Sequence, residues 1–331
     1  SGELLPYGRQ LVEDDDIEAV TEVLRSDYLT TGSKAEKFEA ALADKVGARE
    51  AVVCSSGSAA LHLTMLSLDL KPGDVVVVPA LTFLATANAA RHVGAEIQFA
   101  DVNPDTGLMG PDELSQAIRK AKQVHAVVTV HYAGQCEAPD TIADVAGCPV
   151  IADACHALGA KSGTNGIVGD CRHECLSVFS FHPVKTISMG EGGAITTNDL
   201  KLAMRMRLAR NHGLIRDRSS FENDVHAFDN EGLPNPWYYE MAEPGFNYRA
   251  SDIHCSLGLS QLRKLSRFVA ARQELAAYYD EHLSSFAPTI RPLARSEACT
   301  PAWHLYVVHI DFRELGLTRA QMMRRLRAEG I

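Results

Sequence analysis

The sequence predicts an α/β protein built on a mostly parallel sheet covered by helices. Three observations carry that prediction. Seven short β-branched or apolar runs lie between residues 51 and 197, and helix-period segments separate most of them. One run, Val75-Val-Val-Val78, is apolar on both faces, as a strand buried inside a parallel sheet must be. The chain has 331 residues, 46% apolar and 22% charged, which exceeds one minimal core and suits a large domain followed by a smaller one.

Taken in order, Pro6 to Gln10 is an extended lead-in. Asp14 to Arg25 carries its acids first and apolar residues at Ile17, Val20, Val23 and Leu24, a helical stripe with its negative charge at the favourable end. Ser26 to Gly32 interrupts it. Ser33 to Val46 is a second helix, with Ser33 as N-cap and Glu36 three residues on in a capping box. Strands are then expected at 51–54, 75–79, 96–101, 126–130, 150–153, 176–181 and 194–197, with helices at 59–68, 85–92, 111–121 and 138–145. A helix over 199–210 carries Lys201, Arg205, Arg207 and Arg210, read as a solvated face. Residues 211–245 form a long polar and aromatic segment of the kind that is usually functional. Ser251-Asp252 caps one long helix from Ile253 towards Leu283. That helix links a large domain over 1–250 to a smaller one over 251–331. His304 to Ile310 alternates as a strand, and Thr318 to Glu329 is a helix. The residues beyond the linker, about 50, are thin for a core of their own, so the natural chain is expected to continue past Ile331.

Composition narrows the function. Net charge is −10 without a basic block, which argues against a nucleic-acid partner. No apolar run approaches the ~18–20 residues of a membrane span. The opening Ser1-Gly2-Glu3 carries no secretory signal, so a cytoplasmic protein is expected. The eight cysteines are scattered, as in a reduced compartment. Cys171 and Cys175 have a tempting spacing for zinc, but no second Cys/His pair partners them. No metal is expected.

Ligands of such sheets bind beyond the carboxyl ends of the strands, and four of those ends carry chemistry. Ser55-Ser-Gly-Ser58 joins a strand to a helix start, where free N–H groups and hydroxyls bind phosphate or simply cap the helix. Phe83 lies just past a strand, suited either to a core or to covering a planar ring. Asp153 ends the apolar run Val150-Ile-Ala-Asp153, where a carboxylate is costly unless paired. It can hold a protonated pyridine nitrogen, cap the next element or bind a metal. Ser180 ends the run from Leu176, and Lys185 follows it, ahead of Gly190-Glu-Gly-Gly193. Most lysines are solvated charges, but one held at a strand lip is a nucleophile once its pKa falls. Phosphate cradle, ring cover, pyridinium acid and amine together are the parts of a pyridoxal-phosphate site.

Five stretches then carry a resemblance: Ser180-Phe-His-Pro-Val-Lys185 with Gly190-Glu-Gly-Gly193, Asp153-Ala-Cys-His-Ala157, Ser56-Gly-Ser-Ala-Ala60, Asn211-His-Gly213 and Gly245-Phe-Asn-Tyr-Arg-Ala-Ser-Asp252. With them the chain resembles, over nearly its whole length, the sugar-nucleotide aminotransferases of the DegT type, which are fold type I pyridoxal-phosphate enzymes. Pro6-Tyr-Gly-Arg-Gln10, Ser26-Asp-Tyr-Leu-Thr-Thr-Gly32 and Asn235-Pro-Trp-Tyr-Tyr-Glu240 look like the branch that makes UDP-4-amino-4,6-dideoxy-N-acetyl-β-L-altrosamine on the route to pseudaminic acid.

The resemblance implies a seven-stranded sheet, a homodimer with shared active sites, and a role for each residue. Lys185 is the Schiff-base lysine and proton shuttle. Asp153 keeps the ring nitrogen protonated. Phe83 stacks on the ring where relatives often carry Trp or Tyr. Gly57, Ser58 and Ser180 hold the phosphate, with Ser58 in place of the commoner Thr. Asn247 reaches the phosphate of the neighbouring subunit. His156 stands near the ring's O3′ side, where many relatives have Gln. Tyr7 and the turn Asp27, Tyr28, Leu29, Thr30 border the UDP-sugar, with His212 and Arg249 as further substrate candidates. L-Glutamate gives the amine and leaves as 2-oxoglutarate, and a 4-keto sugar nucleotide then receives it at C4. The alternatives are a GDP-perosamine or dTDP-sugar aminotransferase, a pyridoxamine-dependent sugar dehydratase, whose members lack the lysine, and a non-catalytic regulator on the same fold.

Overall fold

Seven strands form one sheet in a computed structural model that describes residues 5–163 and 165–331. The strands are β1 (Glu50–Cys54), β2 (Val75–Pro79), β3 (Glu96–Ala100), β4 (Ala126–Val130), β5 (Val150–Asp153), β6 (Leu176–Ser180) and β7 (Gly193–Thr197), in the spatial order β1-β7-β6-β5-β4-β2-β3. The pairs β2–β3, β2–β4, β4–β5 and β5–β6 are parallel. β7 alone runs antiparallel to both of its neighbours, β6 and β1. The reason is the connection. Parallel neighbours need a crossover, usually a helix, whereas residues 181–192 return from β6 as a loop, and Lys185 rides on that loop.

Alternate strand residues feed opposite faces. Val52, Val76, Val78, Ala126 and Val128 pack with α3 (Gly57–Ser67), α4 (Leu84–His92) and α7 (Leu200–Arg210). On the other face, Val77 and Val127 meet α5 (Pro111–Lys120) and α6 (Pro139–Ala146), while Ala51, Val53 and Phe179 meet α2 (Lys34–Val46) and α8 (Asp252–Arg263). α1 (Asp14–Leu24) lies against α8.

Four expectations need correction. Ser33 does not cap α2; it has helical backbone angles and its side chain accepts no capping bond. Asp252, 218 residues away, accepts the Lys34 N–H instead at 2.8 Å. The expected long helix from Ile253 to Leu283 is two: α8 ends at Arg263, and α9 (Leu265–Leu283) begins after Lys264. At that joint the Lys264 ammonium gathers Glu13, Asp15 and Asp16 at 3.0, 2.5 and 2.9 Å, which ties the start of α1 to the joint. The strand expected over 304–310 shrinks to β9 (Val308–Ile310), paired with β8 (Ile290–Pro292). Its first residues are taken by another partner: His304 and Leu305 both donate their N–H to the Ala133 carbonyl. Arg207 and Arg210 are not a solvated face. Arg210 Nη1 reaches Glu39 Oε1 and the Val53 carbonyl at 2.5 Å each, and Arg207 Nη2 reaches Glu50 Oε2 at 2.9 Å and the Ala51 carbonyl at 3.0 Å. Edge-strand carbonyls and the buried Glu39 carboxylate need donors, and α7 supplies them. The final helix, α10 (Arg319–Ala328), is capped by Thr318. Among the described residues no helix is long and apolar enough to cross a membrane.

Candidate active site

The carboxyl ends of β1, β4, β5 and β6 surround a cleft of about 640 Å³. Tyr7, Gly57, Ser58, Phe83, Asp153, His156, Ser180 and Lys185, drawn from positions far apart in the chain, all line it. The rest of the expected set lies elsewhere. Asp27, Tyr28, Leu29 and Thr30 form an exposed turn, and Asn247 is exposed and bridged to Asn211. His212 donates its N–H to the Phe246 carbonyl, and Arg249 Nη1 donates to Asn211 Oδ1 at 2.7 Å. Arg249 and the neighbouring Thr31 and Gly32 line a second cleft with Arg216 and Ser220. One chain therefore presents two groups of candidate residues and does not bring them together.

Lys185 is held by its own loop. Its N–H donates to the His182 carbonyl at 2.9 Å, and Met189 and Gly192 close the loop onto the backbone of Phe181. Burial lowers the Lys185 amine below the ordinary lysine value, and Cys155 and Asp153 oppose that fall only in part. Water loss penalises the charged form, so more neutral amine is available than on an exposed lysine.

Asp153 is 6% exposed at the end of the central strand β5. Its Oδ2 accepts from the Thr86 hydroxyl at 2.8 Å and its Oδ1 from the Cys155 N–H at 3.3 Å. Among the described residues no arginine forms an ion pair with it, and its charge raises the Lys185 amine against the effect of burial. A buried carboxylate with acceptor capacity to spare suits a cationic donor in the cleft.

At the other side, Ser56 is the N-cap of α3, its Oγ accepting from the Ala59 N–H at 3.1 Å. The N–H groups of Gly57 and Ser58, at the first two helical positions, have no intrahelical partner. A Cβ on Gly57 would sit 2.9 Å from Ser180 Cβ, so glycine keeps this turn against β6. Gly193, at the end of the glycine run, presses on the same turn: its Cβ would lie 2.3 Å from the Ser56 carbonyl oxygen and 2.6 Å from the Gly57 nitrogen. Phe83 is no core residue. Its ring is 70% exposed over the cleft.

Sequence reasoning missed Thr86, buried behind Asp153, and the lining residues Glu191 and His304 among others. Thr86 gave no signal because its partner, Asp153, is 67 residues away. Glu191 was hidden among the glycines. His304 was read into a strand; it packs against His156 with ring centroids 4.3 Å apart and planes tilted by 46°. Burial, then Lys185, pushes His156 down to about 3. Burial, then His156 and Lys185, pushes His304 down to about 2. Both rings are uncharged at neutral pH. The thiols of the Cys171/Cys175 pair serve the backbone, donating to the Thr196 carbonyl at 3.2 Å and the Val150 carbonyl at 3.0 Å.

Residues 10–331 match the model of the DegT/DnrJ/EryC1/StrS aminotransferase family. The chain belongs to this family. A curated relative, the spore coat polysaccharide biosynthesis protein SpsC of Bacillus subtilis (strain 168), is 35% identical over 330 residues, 98% of this chain and 80% of SpsC. Among solved structures, Spr1654 of Streptococcus pneumoniae in its PLP form superposes with a TM-score of 0.85 at 26% identity, covering 99% of this chain and 83% of that one. Helicobacter pylori PseC, an aminotransferase involved in the biosynthesis of pseudoaminic acid, superposes at 0.86 with 28% identity over 99% and 83%. This DegT-family chain is thus a sugar aminotransferase with the fold type I architecture, and its cofactor is pyridoxal phosphate. The cleft fits that cofactor: unpaired helix N–H groups for the phosphate, a buried acceptor for the ring nitrogen, and a desolvated amine on the same lip.

Proposed function

We propose that the protein transfers the amino group of L-glutamate to C4 of a UDP-4-keto-6-deoxy-N-acetylhexosamine, giving UDP-4-amino-4,6-dideoxy-N-acetyl-β-L-altrosamine. The observation that carries the substrate is the likeness to PseC over 99% of the chain. The reading assigns each residue a task. Bound pyridoxal phosphate supplies an electron sink and a carrier for the amine. Lys185 would hold it through its side-chain amine and would move the proton at the donor carbon. Its desolvated amine is suited to both tasks. Asp153, oriented by Thr86, holds a proton on the ring nitrogen through a charge-assisted bond. Gly57 and Ser58 N–H groups and the Ser180 hydroxyl hold the phosphate, Phe83 covers the ring, and neutral His156 faces the ring hydroxyl.

The protein acts as a homodimer in this reading. Tyr7 lines the Lys185 cleft, whereas Asp27, Tyr28, Leu29, Thr30, His212, Asn247 and Arg249 stand outside it. A second copy that brings these residues to the first copy's cleft accounts for the split.

A second reading keeps the chemistry and changes the sugar. SpsC, at 35% identity, exceeds PseC at 28%. A different sugar nucleotide, feeding a surface polysaccharide, is the competing substrate. The experiment assays UDP-, GDP- and dTDP-linked 4-keto sugars with L-glutamate in parallel. Preference for the UDP-N-acetyl sugar is expected, and preference for another sugar nucleotide sinks the first reading. Lys185→Ala is expected to lose at least about a thousandfold in turnover and the visible absorbance of the bound cofactor. Wild-type turnover in that variant would refute the mechanism.

A further inference from the structure

Asp252 is 1% exposed, yet it is not spent on its own helix, which Ser251 caps. Its carboxylate reaches across the chain instead. Oδ2 accepts the Gly32 N–H at 2.7 Å and Oδ1 accepts the Lys34 N–H at 2.8 Å. In return the Asp252 N–H donates to the Leu29 carbonyl at 3.0 Å. Three hydrogen bonds thus fasten both sides of the turn over 29–34 to one buried side chain and its backbone. The turn is shaped for this. Thr31 has φ +57°, and a Cβ on Gly32 would lie 2.9 Å from Asp252 Oδ1. Only glycine lets the carboxylate approach. Asp252 also closes the segment that carries Arg249. The turn and that segment, read as substrate-bordering, therefore share one anchor.

We propose that Asp252 is a positioning residue for the sugar-nucleotide half of the reaction: it sets the turn Asp27–Thr30 relative to Arg249, and so fixes the nucleotide side of the pocket. This rests on the assignment of those residues to the substrate. The carboxylate is suited to the task because ionic acceptors make stronger bonds to N–H groups than neutral ones, and because its burial excludes competing water. Glutamate does not need this side of the pocket, so the two half-reactions should separate.

The test compares Asp252→Ala, Asp252→Asn and Gly32→Ala in the cofactor-loaded enzyme. Gly32→Ala keeps the carboxylate and removes its approach. All three are expected to raise KM for the sugar nucleotide, on the order of tenfold to a hundredfold for misplaced contacts, with the rate of the glutamate half-reaction unchanged. Asp252→Asn, which keeps one acceptor, should lie between wild type and Asp252→Ala. Amide hydrogen exchange at Gly32 and Lys34, read without substrate, should speed up in all three. Parallel slowing of both half-reactions, or unchanged exchange at these amides, overturns the proposal. KM is measured with whichever 4-keto sugar nucleotide the wild type turns over. An unexpected sugar then refutes the substrate reading and leaves this test standing.

Discussion

At the scale of single residues, the cleft is defined by what each polar group lacks. Asp153 has two donors and, among the described residues, no ion-paired arginine, Gly57 and Ser58 have spare N–H groups, and Lys185 has lost water. Thr86 is the residue whose importance the sequence hides most completely. Its hydroxyl donates to Asp153 and contacts the Thr82 hydroxyl at 2.7 Å. Thr86→Val keeps the shape and removes the donor, which frees Asp153 to turn from the ring-nitrogen position. Turnover is expected to fall on the order of tenfold, less than the 10²–10³ typical of a direct contact to developing charge. Thr86→Ser, which keeps the hydroxyl, should restore most of it. Steady-state kinetics on the pair would check this, and equal rates for Val and Ser would refute the orienting role.

At the scale of elements, the antiparallel strand β7 is the feature that shapes the site. Because β7 returns beside β6 without a crossover helix, its first residue, Gly193, lands against the Ser56-Gly57 turn. The phosphate cradle is thus pressed between a helix start and a strand start. Gly193→Ala introduces a Cβ 2.3 Å from the Ser56 carbonyl oxygen, so the turn must shift. The cofactor should bind more weakly by about tenfold or more, with a smaller effect on the melting temperature of the cofactor-free chain. Fluorescence titration with pyridoxal phosphate would measure it, and wild-type affinity would show that the turn yields freely. The same scale explains α7, whose arginines satisfy the exposed carbonyls of edge strand β1 rather than water.

At the scale of the whole molecule, three histidines are held uncharged: the buried His131 and the half-buried His156 and His304 of the cleft. Burial holds His131 down to about 4, and burial reinforced by Lys185 holds His156 down to about 3 and His304 to about 2. The unfolded chain takes up these protons near pH 6.5, whereas the native chain refuses them. Stability is therefore full above pH 6.5 and is lost as pH falls from there, towards about 4 for His131 and on towards about 3 and about 2 for His156 and His304. The slope is up to about 1.4 kcal/mol per pH unit for each histidine. Urea midpoints followed from pH 6.5 downward should fall steadily. His131→Phe, outside the set assigned to the cofactor, should make that fall shallower by one proton; an unchanged slope would show that His131 is not the group titrating.

Much of this was legible in the sequence because it is local. All seven strand runs lie where the pattern placed them, since β-branched runs bounded by turns answer to their own residues. Phe83, Asp153, Ser180 and Lys185 line one cleft because strand ends in such a sheet converge on one edge, and Gly57, Ser58 and His156, expected from the family resemblance, line it with them. What the sequence misplaced depends on distant partners. The capping of α2 by Asp252, the loss of His304 from its strand, the pairing of Arg207 and Arg210, and the orientation of Asp153 by Thr86 all join residues dozens to hundreds of positions apart. Buried polar groups take whichever partner the packed chain brings within reach. That choice is made by topology, after the local elements have formed.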